Sequence, residues 1–168
     1  MDYRGNCRSA ERYGWSGVMD AAIILCDFAE QDPTGKVHML GAGWSVMGPG
    51  PAAHAVVVFV RAPTDLQAPL PVILRLLDEG GSVVLMPAGA GLQRFEFPGQ
   101  ILMRTPPLAE NSVGFGAFTV NVGPLPFQQG ARYRWVLEVD GKEVASAEFS
   151  VLRPESVDPA PAPDDPAS

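Results

Sequence analysis

The chain has 168 residues, a formal net charge of −7 and a pI near 4.7, which suits one domain with short tails and disfavours non-specific binding to a phosphate backbone. Its 18 glycines and 17 prolines, with only 18% charged residues, argue against long helices and for short strands joined by turns. No run approaches the ~20 apolar residues of a membrane span, and residues 1–18 hold no apolar signal core, so the cytoplasm is the default compartment.

Residues 1–18 have no hydrophobic period and read as a disordered extension. The folded domain is placed at 19–152, followed by a disordered Pro/Ala/Asp-rich tail at 153–168. The first strand signal is AAIILCDF at 21–28, a continuous apolar run. Asp32-Pro33-Thr34-Gly35 reads as a type I turn. Lys36 to Met47 is strand-like but interrupted at Gly41–Gly43, as expected for a bulge or a close backbone approach. His54 to Arg61 (HAVVVFVR) is dense in β-branched residues and reads as a central strand.

Val72 to Asp78 follows, turned by Glu79-Gly80-Gly81 toward Ser82 to Met86 as its hairpin partner. Leu92 to Phe97 alternates. Phe115 to Val122 alternates too, with Phe118, Val120 and Val122 on one face. In Tyr133 to Val139 the positions Tyr133, Trp135, Leu137 and Val139 share a face, and Asp140-Gly141 is a two-residue hairpin signal leading into Glu143 to Leu152. Seven to nine short strands with regular turns predict an all-β, immunoglobulin-like antiparallel β-sandwich.

The fragment LPFQQGARYRW resembles the tyrosine corner of immunoglobulin-like domains, with Tyr133 as the corner residue. Two residues, Ala131 and Arg132, separate Gly130 from Tyr133 where one is usual, and Trp135 stands where antibody domains place a Cys. The opening CDFAEQDPTGKVHMLGAGW resembles an uncharacterised family of small actinomycete and phage-associated proteins. The features that carry this resemblance are Asp27, the D-x-x-G-K turn of Asp32, Gly35 and Lys36, and Gly41-Ala42-Gly43-Trp44. It spans roughly residues 20–152 and implies domain limits and no chemistry.

No catalytic constellation emerges. The histidines, His38 and His54, fall on separate strands, and Cys7 and Cys26 lack the spacing of a disulfide framework or a zinc site. There is no G-x-S-x-G elbow. Gly41-Ala42-Gly43 and Gly89-Ala90-Gly91 precede no helix that would bind phosphate, and the acidic pairs Asp27/Asp32 and Asp78-Glu79 lie in no calcium loop. No metal, cofactor, nucleic acid or membrane is therefore expected, and the chain is read as a non-enzyme.

Two features fit contact with a protein partner or a second copy. Trp44 sits beside the Gly-rich interruption, the competing reading being a Trp packed across the sheets. Ile101, Leu102, Met103 and Leu108 lie in the long segment from Gly99 to Gly114, the competing reading being a connection folded onto the core. The expectation is a non-enzymatic binding or structural module. The rivals are a virion component that decorates a phage particle or its tail, and, further off, an enzyme in which His38, His54 and an acid converge.

Overall fold

The computed structural model describes residues 19–63, 69–88, 91–103 and 113–154. The extension at 1–18 and all but the first two residues of the tail lie outside them. The described residues are all-β, and none of them forms a helix able to cross a membrane. Nine sequence runs become twelve strands because three runs are each broken in two. Ala21 to Phe28 breaks at Asp27 into β1 (Asp20–Cys26) and β2 (Phe28–Gln31). Lys36 to Met47 breaks at its glycines into β3 (Val37–Leu40) and β4 (Val46–Met47). After β5 (Ala52–Pro63), β6 (Leu70–Asp78) and β7 (Leu85–Ala88), the next run breaks at Phe95 into β8 (Gly91–Arg94) and β9 (Glu96–Ile101). β10 (Val113–Leu125), β11 (Arg132–Val139) and β12 (Lys142–Val151) complete the chain.

One sheet has the order β1-β5-β10 and a second the order β4-β12-β11-β6-β9, with two small hairpin sheets, β2-β3 and β7-β8. Their inward side chains meet in one core, which takes Val56, Val58 and Val60 from β5 and Leu74, Leu76, Trp135, Leu137 and Phe149 from the second sheet. β5 also buries its other face. Ala55 and Val57 join Cys26 and Ala29 in a second cluster under the β2-β3 hairpin. Burial on both faces is why HAVVVFVR is apolar without alternation. Cys26 serves there as a small buried hydrophobe, its thiol pushed up by burial and then by the Asp27 charge.

The hairpin is fixed to β10 by side chains. Asn121 receives the Ala29 N–H at 3.2 Å and donates to the Ala29 carbonyl at 2.8 Å, so one carboxamide stands in for a neighbouring strand. Gln31 donates to the carbonyls of Gly35 and Ala117 at 3.2 and 3.1 Å. The turn between β2 and β3 closes with the Gly35 N–H on the Asp32 carbonyl. The Asp32 carboxylate accepts from the Thr34 hydroxyl and the Lys36 N–H. The Thr34 bond, ahead of those from Lys36 and His38, holds that carboxyl down at about 2.

Two expectations are corrected. The Ser82 to Met86 segment pairs with β6 only over Ser82–Val84, through the Asp78 N–H on the Ser82 carbonyl, the Val84 N–H on the Leu76 carbonyl and a bridge from Leu77 to Val83, before the chain leaves to build β7-β8. Along the rest of its length β6 pairs with β9 and β11. The arrangement is also not wholly antiparallel, because β4 lies parallel to β12, Val46 opposite Ser150. The cause is a change of sheet. Leaving β3, the chain gives the Gly43 N–H to the Leu25 carbonyl of β1, then takes the Ser150 N–H on the Ser45 carbonyl and joins β12. Gly41 and Gly43 allow this step with φ of 62° and 91°. The Asp140-Gly141 hairpin forms as read from the sequence, both residues at positive φ and Val139 facing Lys142. Pro98 sits on β9, an outer strand, where its missing N–H breaks no interior ladder.

Gly41 is the most constrained point of the sheet change, since a Cβ there would stand 2.0 Å from Asp27 Oδ2. Gly41→Ala should destabilise the fold by about 1–3 kcal/mol in urea denaturation. Adding Asp27→Ala should recover the steric share and leave the cost of positive φ. A Gly41→Ala protein as stable as wild type would mean that Asp27 does not cover this glycine.

Candidate functional site

Three places gather the chemistry-bearing residues: a buried aromatic box, the seam where the chain changes sheet, and a cleft between β9 and β10. The box is built around His54 at the start of β5, which is 1% exposed. Trp44, Phe127, Trp135 and Phe149 surround it with ring centroids 5.8–6.0 Å away. Trp135 Nε1 donates to His54 Nε2 at 3.2 Å. An indole N–H can only donate, so Nε2 is the bare acceptor and the ring proton sits on Nδ1. Nδ1 has no hydrogen-bond partner. Burial pushes His54 down to about 4, against an opposing pull from the Ala52 backbone that falls short of hydrogen-bond geometry.

Beside the box, Tyr133 stacks on Phe149 at 5.6 Å and its hydroxyl accepts the Gln128 N–H at 3.0 Å. This is the corner bond expected from LPFQQGARYRW. Tyr133, Trp135, Leu137 and Val139 all turn to the core, as their period-2 spacing requires.

Trp44 fills the seam. It is partly buried, edge-on to His54 and Phe149 at 6.0 and 5.9 Å, and its indole N–H is buried without a partner. Trp44 therefore packs across the two sheets while a part of it reaches the surface. The other contact residues lie elsewhere. Gly114 and Gly116, which touch Met103 and Ile101, pair with Ala62 and Val60 near the far end of β5. At a strand rise of 3.3 Å per residue that end is roughly 20 Å from His54. The structure thus does not bring Trp44 together with Ile101–Met103. Leu108 lies outside the described residues.

At that far end Ile101 is buried, Met103 packs partly against the core, and Leu102 is 69% exposed. A cleft of about 220 Å³ opens there between β9 and β10, lined by the carboxamides of Gln31 and Gln100 and by Leu102, Phe115 and Phe118. Gly116 also lines it, and a Cβ there would strike Ile101 Cγ2 at 2.3 Å. Among the described residues no ionisable side chain lines the cleft. Phe115, 43% exposed and 5.7 Å from Phe59, was missed in the sequence. The available signal was an aromatic residue on the face of β10 opposite Phe118, in line with Thr119 and Asn121.

The remaining chemical candidates disperse. His38 is exposed on the outer hairpin, 3.5 Å from Asp32, whereas His54 faces the core. Among the described residues no three His, Cys, Asp or Glu side chains gather as a metal site. Asp78 is a turn residue, receiving the Ser82 N–H at 2.9 Å, and Gly41–Gly43 carry the sheet change. A groove of about 370 Å³ near the corner sets Asp78 and Glu79 against Arg132 and Arg153, a mixture that favours neither ligand charge.

The architecture is thus an all-β domain of two principal sheets on one core. Residues 21–152 match the model of a family of unknown function, and the chain belongs to that family, DUF6941. No curated protein sequence matches significantly. Among solved structures the chain is similar to the Pseudomonas fluorescens alkylpurine DNA glycosylase AlkC bound to DNA containing an abasic site analog, at 12% identity and a TM-score of 0.35. The match covers 80% of this chain and 30% of that one, so this chain spans under a third of the glycosylase.

The box and the corner should separate in stability measurements. Trp135→Ala should cost about 3–5 kcal/mol, the loss of a fully buried indole and of its bond to His54. Tyr133→Phe, which removes only the acceptor for the Gln128 N–H, should cost on the order of 1 kcal/mol. Equal losses from the two would contradict this assignment.

Proposed function

We propose that the chain is a non-enzymatic binding module built as an immunoglobulin-like sandwich, and that the cleft between β9 and β10 seats a protein partner. The sandwich reading is supported by two sheets on one core, a segment that changes sheet, and the Tyr133 corner bond. The observation that carries the binding reading is the pair of exposed large apolar side chains, Leu102 and Phe115, beside a neutral concavity. Small-molecule sites usually start near ~300 Å³. A cleft of about 220 Å³ suits instead one apolar side chain of an extended partner. The carboxamides of Gln31 and Gln100 at its rim offer both donors and acceptors to a peptide backbone.

Selection of a displayed random-peptide library on the full chain tests this reading. Enriched peptides should carry a large apolar residue, and each of Leu102→Asp and Phe115→Asp should weaken them at least tenfold, about 1.4 kcal/mol. Both side chains are exposed, so the melting temperature should hold. Peptides that bind the variants as well as wild type, or a selection with no enrichment above background, would overturn the assignment.

A further inference from the structure

The box holds two buried N–H groups without acceptors, Trp44 Nε1 and His54 Nδ1, on rings 6.0 Å apart and meeting at 72°. Unsatisfied buried donors cost free energy. Both belong to the contact between the sheet-changing segment and the core. That segment, Gly41 to Met47, is held by few main-chain bonds. Gly43 N–H reaches Leu25, Ser150 N–H reaches Ser45, and Leu152 N–H reaches Met47, at 2.8, 3.0 and 2.9 Å. β4 is only two residues long. Lifting the segment away would give the Trp44 donor to water and uncover the face of His54 that Trp44 packs on.

The closed arrangement also requires a bare nitrogen on His54, because the Trp135 N–H points at Nε2. We propose that His54 is an acid-operated latch on the seam between the two sheets: a proton taken up at Nε2 displaces the Trp135 hydrogen bond and releases the Gly41–Met47 segment with Trp44. The added proton occupies the lone pair that Trp135 had used, so two donors then face each other. No described charged side chain compensates the imidazolium. The ring neighbours of His54 are Trp44, Phe127, Trp135 and Phe149. On the same strands, Arg134 pairs outward with Glu143 and Glu148 is exposed. Tyr133, behind Phe127 and Phe149, keeps its hydroxyl on the Gln128 N–H.

The direction of the pH effect follows from burial. With the segment closed His54 is held down to about 4, and with it open the ring returns toward its ordinary 6.5. The closed state is therefore fully favoured above pH 6.5 and loses that advantage as pH falls through about 4, by about 150-fold in the closed-to-open ratio at pH 4 and by about 300-fold below it. Local opening precedes global unfolding because β5 and β11 are held by ladders on both sides.

The test is amide exchange followed by NMR on the full chain from pH 7.5 to about 4, expressed as protection factors so that intrinsic pH catalysis cancels. Protection at Gly43, Ser150, Leu152 and the Trp44 indole should fall by up to about 150-fold, while Val57 and Thr119 in the β5–β10 ladder stay protected. His54→Gln, whose carboxamide oxygen accepts from Trp135 and does not titrate, should remove the pH dependence. Should that variant fail to fold, the His54 ring titration in the wild type decides, and it should track Trp44 exposure. The latch is refuted if the four sites keep their protection, if they lose it together with the β5–β10 ladder, if the loss persists in His54→Gln, or if the segment opens while the His54 ring remains neutral.

Discussion

The hydrogen bond from Trp135 to His54 joins the two principal sheets inside the core at one end of β5, across 81 residues of sequence. A polar contact in such a place imposes a register that apolar packing alone leaves loose. Valine against leucine tolerates small slides, but a donor at 3.2 Å from its acceptor does not. The rings of Trp44, Phe127 and Phe149 close around this bond, Tyr133 stacks on Phe149 and lies tilted against Phe127, and the corner bond to Gln128 sets the approach to β11. The aromatic half of the core is thus arranged about one neutral imidazole.

At the opposite end of β5, Gly114 and Gly116 on β10 let Met103 and Ile101 pack close, and a cleft opens beside them at the edges of the two sheets. One end of the domain is filled by rings and the other is open, lined by amides and apolar side chains. The same valine strand runs through both. The two ends accordingly have different chemistry: a protonatable group sealed from water at one, and a neutral surface concavity at the other.

Much of this was legible in the residues, for reasons of period and turn chemistry. The inward face of β11 follows from alternation alone, and Asp140-Gly141 takes the positive-φ backbone that suits a two-residue hairpin. The tyrosine corner was readable because it is local. Less legible was β2. In FAEQ only Ala29 is buried, so no alternation announces a strand, and its attachment depends on Asn121, ninety-two positions away. The sheet change was visible as an interrupted run, but its direction was not, because a parallel β4 is decided by where β12 ends. Phe115 was hidden for a related reason. Its place at the cleft depends on where β9 and the hairpin residues Gln31 and Gly35 come to lie, which is not a property of its own strand.

The side-chain clamp on β2 has an implication for evolvability. Strands joined by a main-chain ladder tolerate almost any side chain at the paired positions, since the backbone itself makes the bonds. The β2-β3 hairpin is joined to β10 through the Asn121 carboxamide and the Gln31 carboxamide, so two amide-bearing positions carry the attachment. A change to aspartate at 121 keeps an acceptor for the Ala29 N–H and loses the donor to its carbonyl, and leucine loses both. This corner of the surface is therefore narrow in the substitutions it accepts, while the hairpin's outward positions, Phe28 and Leu40 among them, stay free to vary.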